Sequence, residues 1–447
     1  MTRPGPGAAA PPSLLERTFA LSANGTTARR ELLAGCVTFL TMAYIIVVNP
    51  AILEAAGLPR EASITATILS AAFGTLLMGL YAKRPFAIAP YMGENAFIAY
   101  TVVQGMGYSW QAALGAIFLA GVLFTLLTLL KVRGRLAEAI PTSLKHSFGV
   151  GIGLFLMFIG LNQTGLVQLG VPGAPVALGN LSQPGALLAV GGLLVTLVLL
   201  VRRVTGALLI GILGTAALSF TLGVTPWPSA LVSAPPSLAP ILGQLDIGAA
   251  LQPSAWPVVV IVFVMAFVDT IGTLLGLSAR AGFLDARGNL PDIERPMLAD
   301  ALANLAAPVF GTTTSGAFVE SATGIESGGR TGLTAVVVAL LFLAALFVAP
   351  VLTAIPPHAY GIALMAIGLL MLAPVAELVS DDLTEQIPAF LTITLIAFTF
   401  NIGVGMTAGL LTYPVLKVLS GRGREVRGGQ WVLAALSMTF YLVYPHH

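Results

Sequence analysis

Charge is what this chain of 447 residues has least of: 9% of it is Asp, Glu, Lys or Arg, against 57% hydrophobic residues and a mean hydropathy of +0.93. A soluble domain carries about 25% charged residues, and the supply here does not cover a water-facing surface. A soluble enzyme is therefore excluded. Cysteine is almost absent as well. The single copy, Cys36, lies in an apolar stretch and leaves no pair for a disulfide framework or a thiolate metal site. Of the four histidines two end the chain, and His146 and His358 stand near the starts of apolar segments, so no metal or triad constellation forms. A formal net charge of +2 without any basic run interleaved with aromatics excludes nucleic acid as a partner. The lipid bilayer is the solvent, and no cofactor is expected.

Long charge-free intervals set the scale. No Asp, Glu, Lys or Arg occurs in 146–201, 204–245, 331–376 or 386–416, and a membrane helix needs only about 20 apolar residues. Division at Gly, Pro, Asn and Gln clusters predicts fourteen transmembrane segments in an all-α polytopic protein: 31–54, 61–82, 86–104, 110–131, 141–163, 184–203, 206–223, 254–278, 294–311, 313–328, 330–352, 358–377, 385–402 and 405–420. With the N-terminus inside, Arg29, Arg30, Lys83, Arg84, Lys131, Arg133, Arg135, Arg202, Arg203, Arg280, Arg287, Arg295, Arg330, Lys417, Arg422, Arg424 and Arg427 all fall on the cytoplasmic side. Of the 21 basic residues only Arg60 falls outside. The loops 164–183 and 224–253 carry none and fall outside. Residues 1–28 lack the apolar core of a signal peptide and read as a cytoplasmic tail. Residues 429–444 are left as a fifteenth span or, preferably, an interfacial or packing helix.

Two segments are interrupted. FAIAPYMGENAFIAYTVVQ (86–104) starts extended and breaks at Pro90 and Gly93; TTTSGAFVESATGIES (313–328) starts with a β-prone Thr run and breaks at Gly316. Each is third in its half of seven, and both halves end with two segments on a short connector, at 204–205 and 403–404. Broken segments at corresponding positions point to a transporter of two inverted repeats with its ligand held between half-helices, shielded from lipid because broken backbone cannot face it.

Three acids stand apart from those at segment ends. Asp269 lies mid-segment in VMAFVDTIGTLLG, where a charge costs about 2.5–3.5 kcal/mol. Glu320 follows the second break, in the first turn of its half-helix, where free N–H groups favour a carboxylate. Glu94 and Asn95 occupy the first break, one available to contact substrate and the other to cap the helix. Arg330 reads as an orientation anchor. Two carboxylates among half-helix N-termini suit a neutral or cationic ligand rich in N–H groups, and they suit proton coupling. An anion exchanger of the same architecture is the alternative, opposed by the carboxylate of Glu320 at the positive helix end.

At these residues the sequence resembles a known family. TFLTMAYIIVVNPAIL (38–53), PFAIAPYMGENAFIAYTVV (85–103), FVDTIGTLLG (267–276), VFGTTTSGAFVESATGIESGGRTGLTAVVV (309–338) and PAFLTITLIAFTFNIGVGMTAGLLTY (388–413) resemble the guanine/hypoxanthine and adenine permeases, the AzgA-like branch of the nucleobase:cation symporter-2 superfamily. The resemblance covers nearly the whole chain. It implies two inverted seven-span repeats, with a core domain from 29–131 and 254–352 and a gate domain from 132–253 and 353–427, flanked by the tail 1–28 and the C-terminal helix and tail 428–447. It implies a homodimer through the gate. The inside-positive bias and the lack of a signal peptide fit a bacterial inner membrane or a eukaryotic plasma membrane, and the short loops favour the former. A purine nucleobase would be held by Asp269 and Glu320 with help from Asn95, beside the break residue Gly316 and stacked near Phe318, Phe267 or Tyr100. Proton coupling falls to Asp269, Glu320 and Glu94, with Na+ the other ion to consider. The chain departs from the family at Glu94, usually aliphatic, and at Ala266, where many relatives carry a second acid.

Overall fold

In the computed structural model the described residues are 14–130, 140–171, 174–285, 290–378 and 381–443. The first part of the N-terminal tail, Lys131, Arg133, Arg135, Arg287 and the end of the C-terminal tail lie outside them. Each predicted segment has a helical or strand–helix counterpart among the described residues. Segment 1 is Ala28–Met42 continued by Ile45–Ala55; segments 2, 4, 5, 6 and 7 are Arg60–Leu80, Trp110–Leu129, Thr142–Gln163, Pro184–Val201 and Ala207–Thr221. In the second half, segments 8, 9, 11, 12, 13 and 14 are Trp256–Ala281, Glu294–Phe310, Gly332–Ala345, Pro357–Met371, Leu383–Thr399 and Ile402–Leu419. Among the described residues nine helices are long and apolar enough to cross a bilayer, and Ala207–Thr221 and Leu383–Thr399 are shorter apolar helices.

Segments 3 and 10 break in the same order. The strand Ile88–Pro90 leads into the short helix Met92–Ala96, and the strand Ser315–Ala317 leads into Ser321–Glu326. The strands pair antiparallel, Ile88 opposite Ala317, Ala89 opposite Gly316 and Pro90 opposite Ser315. Two equivalent segments that meet antiparallel belong to repeats of opposite direction. Packing obeys the same rule, mapping segment i onto i+7: segment 2 lies on 11 as 9 lies on 4, 1 on 11 as 8 on 4, 5 on 13 as 12 on 6, and 6 on 7 as 13 on 14, while 2·9 and 5·12 map onto themselves. The fold is an inverted repeat.

A two-stranded ribbon inside a membrane protein has two free edges, and unpaired backbone there costs several kcal/mol per group. Equivalent segments cover the two edges. Thr75 of segment 2 accepts from the N–H of Ile88 (2.8 Å) and donates to its carbonyl (3.0 Å). On the other edge, Asp300 of segment 9 accepts from the N–H of Ala317 (2.7 Å) and Asn304 from that of Ser315 (3.1 Å). Where segments 5 and 12 cross, glycine is required for close approach: a Cβ on Gly160 would stand 2.6 Å from the Gly361 carbonyl, and one on Gly368 2.5 Å from that of Gly153. Small residues of this kind let membrane helices pack backbone to backbone.

One expectation is corrected and three are extended. Segments 13 and 14 part at Phe400 and Asn401 rather than at 403–404, because Phe400 turns left-handed (φ 54°) and Asn401 caps the next helix through the N–H of Val404 (3.0 Å). The loop 164–183 contains a hairpin, Val167–Val171 with Ala174–Leu178. Helix Gly428–Val443 is a packing helix, one of the two forms preferred for 429–444. It runs antiparallel to segment 14, with Leu433 and Ser437 beside Leu410 and Thr407 and the Tyr441 hydroxyl donating to the Val404 carbonyl (2.8 Å). Its 16 residues span about 24 Å. Arg330 is more than an anchor, since its guanidinium donates to the carbonyls of Ile325 (2.7 Å) and Gly329 (2.9 Å) at the end of the segment 10 helix. Arg330→Met is expected to cost about 1–3 kcal/mol, two hydrogen bonds at ordinary strength, read as a lower midpoint of thermal unfolding in detergent.

At the end of segment 14 the buried Lys417 ammonium meets Glu385 (2.9 Å), Glu425 (3.0 Å) and Asp382 (3.4 Å). This ties the start of segment 13 to the turn after segment 14. Hydrogen bonds from Thr384 and Arg422 hold the Asp382 carboxyl well below the usual carboxylate range.

Candidate functional site

Segment 8 brings one stripe of side chains to an internal wall. Asp269, Gly272, Gly276 and Arg280 follow at helical spacing and line a cavity of about 1000 Å³. Asp269 lies deep, and Arg280 stands eleven residues on, about 16 Å along the axis. Glu320 of segment 10 lines the same cavity, as does Phe267, which also packs edge-on against Phe124 at a centroid distance of 5.9 Å. The mouth is basic, with Lys145, His146, Arg203 and Arg280 among its lining. A recess of about 640 Å³ shares Glu320, Thr323, Arg203 and Arg280 and extends towards segments 1 and 7.

Glu320 occupies the N-cap position of helix Ser321–Glu326, as its place after the break predicts. Its carboxylate does not cap that helix. It accepts instead from the hydroxyl of Tyr44 at 2.6 Å. Tyr44 stands where segment 1 divides into its two helices, so the interruption of segment 1 aims a phenol at the break of segment 10. Thr41, one turn earlier, meets Thr323 hydroxyl to hydroxyl at 3.1 Å.

The other predicted site residues sit behind this wall. Asn95 is fully buried and accepts from the hydroxyl of Thr313, which ties the two broken segments together. Glu94 is fully buried too, and neither residue caps its helix, whose N-cap position is held by Tyr91. Phe318 stacks on Tyr91 with ring centroids 6.4 Å apart and planes 10° from parallel. Gly316 is needed by that same ring, because a Cβ there would stand 2.1 Å from the Tyr91 hydroxyl oxygen. Tyr100 packs edge-on against Phe155 of segment 5 and against Phe400. Asp269, Glu320 and Phe267 thus share the cavity, while Asn95, Phe318, Gly316, Glu94 and Tyr100 do not line it.

Two important groups escaped the sequence reading. Asp300 is fully buried and takes the Thr270 hydroxyl as well as the Ala317 N–H, so it links segment 8 to the strand of segment 10. Its signal was present: Asp300 and Asn304 stand four apart, on one face of an apolar helix. The second is Tyr44, one aromatic among many in an apolar segment and without a distinguishing signal. The nine-residue π-helical stretch Phe97–Gly105 after the first break is likewise invisible in sequence. Among the described residues no group of three or more His, Cys, Asp or Glu is arranged to hold a metal.

Comparison with known proteins identifies the family. The Xan_ur_permease profile, described as a permease family, matches residues 29–409. The chain is 40% identical to the adenine permease AdeP of Escherichia coli over 92% of each chain. It is 40% identical to the guanine/hypoxanthine permease PbuO of Bacillus subtilis over 91% of this chain and 96% of the other. In fold it is similar to the transmembrane domain of the cyanobacterial bicarbonate transporter BicA, with a TM-score of 0.63, 17% identity, and coverage of 85% of this chain and 97% of that one. The chain belongs to the Xan_ur_permease family of multi-pass membrane permeases, in its AzgA-like branch.

Proposed function

We propose that this protein imports purine nucleobases, adenine, guanine or hypoxanthine, by proton symport. The observation that carries the reading is the pairing of Asp269 and Glu320 in one cavity. Two carboxylates from separate segments present acceptors to a planar ligand whose edge is rich in N–H groups. The relatives named as adenine and guanine/hypoxanthine permeases support the same ligand class. Phe267 supplies an apolar face in the cavity, and Asn95 holds the broken segments in register. Binding substrate and proton together avoids leaving a desolvated anion unpaired.

Segments 1–4 and 8–11 act as a core that moves against a gate of segments 5–7 and 12–14, opening the site to each side in turn. The basic mouth marks the cytoplasmic end by the inside-positive rule. The cavity therefore faces inward, with the N-terminus cytoplasmic, in the inner or plasma membrane. The functional unit is a homodimer through the gate, with H+ as the coupling ion and no cofactor.

Uptake of radiolabelled adenine, guanine and hypoxanthine by cells lacking their own purine permeases tests this. Unlabelled purines are expected to compete and bicarbonate or sulfate to have no effect; the reverse pattern would establish the anion exchanger. Tyr44→Phe removes the hydroxyl that orients Glu320 and is expected to weaken uptake roughly threefold to tenfold, one neutral-donor hydrogen bond, at unchanged surface expression.

A further inference from the structure

Buried polar atoms that lack partners are concentrated in one part of this protein. Of ten such side-chain atoms among the described residues, six belong to Asn49, Ser63, Glu94, Asn95 and Thr314, and both carboxylate oxygens of Glu94 are among them. These residues adjoin. The Asn49 amide donates to the hydroxyls of Thr67 (2.7 Å) and Thr312 (3.0 Å), and Thr67 donates to the Ser63 carbonyl (2.7 Å). The run 312–314 continues the path, because the Thr313 hydroxyl donates to Asn95, the neighbour of Glu94. Every member is at most 1% exposed.

The path leads away from the substrate cavity. Ser63 lies one turn into segment 2 from Arg60, and nearby Thr65 donates to the Pro236 carbonyl of the loop 224–253 (3.0 Å). The opposite end of segment 2 leads to Arg84, whose guanidinium lies 4.8 Å from the centre of the Phe283 ring, just past Arg280 at the cavity mouth. Glu94 does not line the cavity. The titratable groups within electrostatic reach of it are Asp269 of segment 8, Asp300 of segment 9 and Tyr91, none of them cationic. Segment 5 sets Ile152 against the neighbouring Gly93, and the second helix of segment 1 packs on the same short helix.

A buried carboxylate with no donor beyond its own amide and no cation beside it is sustained by a proton or by water, and clustered unsatisfied polar groups are where buried waters sit. From this placement we infer that the file from Ser63 through Thr67, Asn49 and Thr312 to Glu94 is a hydrated proton path, separate from the nucleobase cavity, with Glu94 as its loading site. The Glu94 carboxylate takes one proton from water at the Arg60 end. It passes that proton to the carboxylate of Asp269, which gives it to water in the cavity, so one proton enters and one leaves per cycle.

This inference rests on the proposed proton-coupled nucleobase transport, and the test separates the two. The full chain is placed in liposomes enclosing a pH-sensitive dye, and adenine, guanine and hypoxanthine are the probes. Counterflow at equal pH reports nucleobase exchange, and the dye reports substrate-driven proton entry. Glu94→Gln is expected to keep counterflow while losing both the dye signal and the pH dependence of uptake. Thr67→Val, which removes one hydroxyl from the file, is expected to slow the dye signal at unchanged counterflow. A wild-type dye signal in Glu94→Gln overturns the inference. So does loss of counterflow in folded Glu94→Gln, which would make Glu94 a nucleobase contact, and so does wild-type accumulation driven by Na+ without a dye signal. Absence of counterflow in the wild type contradicts the proposed function itself.

Discussion

Glu320→Gln and Asp269→Asn are each expected to weaken nucleobase binding by roughly 10- to 150-fold, the equivalent of the ~1.5–3 kcal/mol that a hydrogen bond to a charged group contributes. Both side chains line the same cavity, and each substitution keeps side-chain volume. What changes is chemistry. An amide offers only one acceptor oxygen and turns an NH2 group towards a ligand edge that is itself rich in donors. The fold should survive Glu320→Gln, because the amide oxygen can still accept from the Tyr44 hydroxyl, which stands 2.6 Å from Oε1 of Glu320. Uptake at substrate concentrations below half-saturation should therefore fall by the same factor at matched surface expression. A thermal unfolding midpoint close to wild type would show that the loss is local. Wild-type affinity in both variants would remove the carboxylates from the site.

Asp300→Ala is expected to act on the scaffold. Its carboxylate satisfies the N–H of Ala317 at 2.7 Å and the hydroxyl of Thr270, at a position without solvent exposure. Alanine leaves the buried Ala317 N–H without an acceptor and the Thr270 hydroxyl with only the Tyr91 hydroxyl at 3.3 Å, at about 1–3 kcal/mol for each group left unpaired. No water from the lipid side can replace the lost acceptor. The strand Ser315–Ala317 positions the helix that carries Glu320, so binding should be lost along with stability. Asp300→Asn, which retains an acceptor oxygen, is expected to lose markedly less. The measurement is thermal unfolding of purified protein in detergent, followed by nucleobase binding to whatever fraction remains monodisperse. An Asp300→Ala protein as stable as wild type would show that the strand edge is held by something else.

How much of this was legible in sequence depends on the kind of signal. Charges in apolar runs are conspicuous because the bilayer makes them costly, and Asp269 and Glu320 were found that way. The paired breaks were legible because Gly and Pro punctuate helices and recur at the third position of each half. Three-residue strands are too short for alternation, so the pairing of Ile88 with Ala317 had no sequence signature. Tyr91 and Tyr44 were missed for a related reason. Which partner an aromatic side chain finds is decided by tertiary packing, and composition says only that it is apolar. Gly316 shows the same limit: the break was visible, but not that the ring of Tyr91 requires it. Asp300 with Asn304 is different, because the spacing of four in an apolar helix was readable and was passed over.

The most direct test of the central claim, that Asp269 and Glu320 together hold a nucleobase, is titration calorimetry of the purified protein with adenine, guanine and hypoxanthine, comparing wild type with Glu320→Gln and Asp269→Asn. Saturable binding of at least one of the three by wild type, reduced in both variants while each remains folded, is the predicted result. Binding of none of them by wild type, or equal binding by all three proteins, would contradict it.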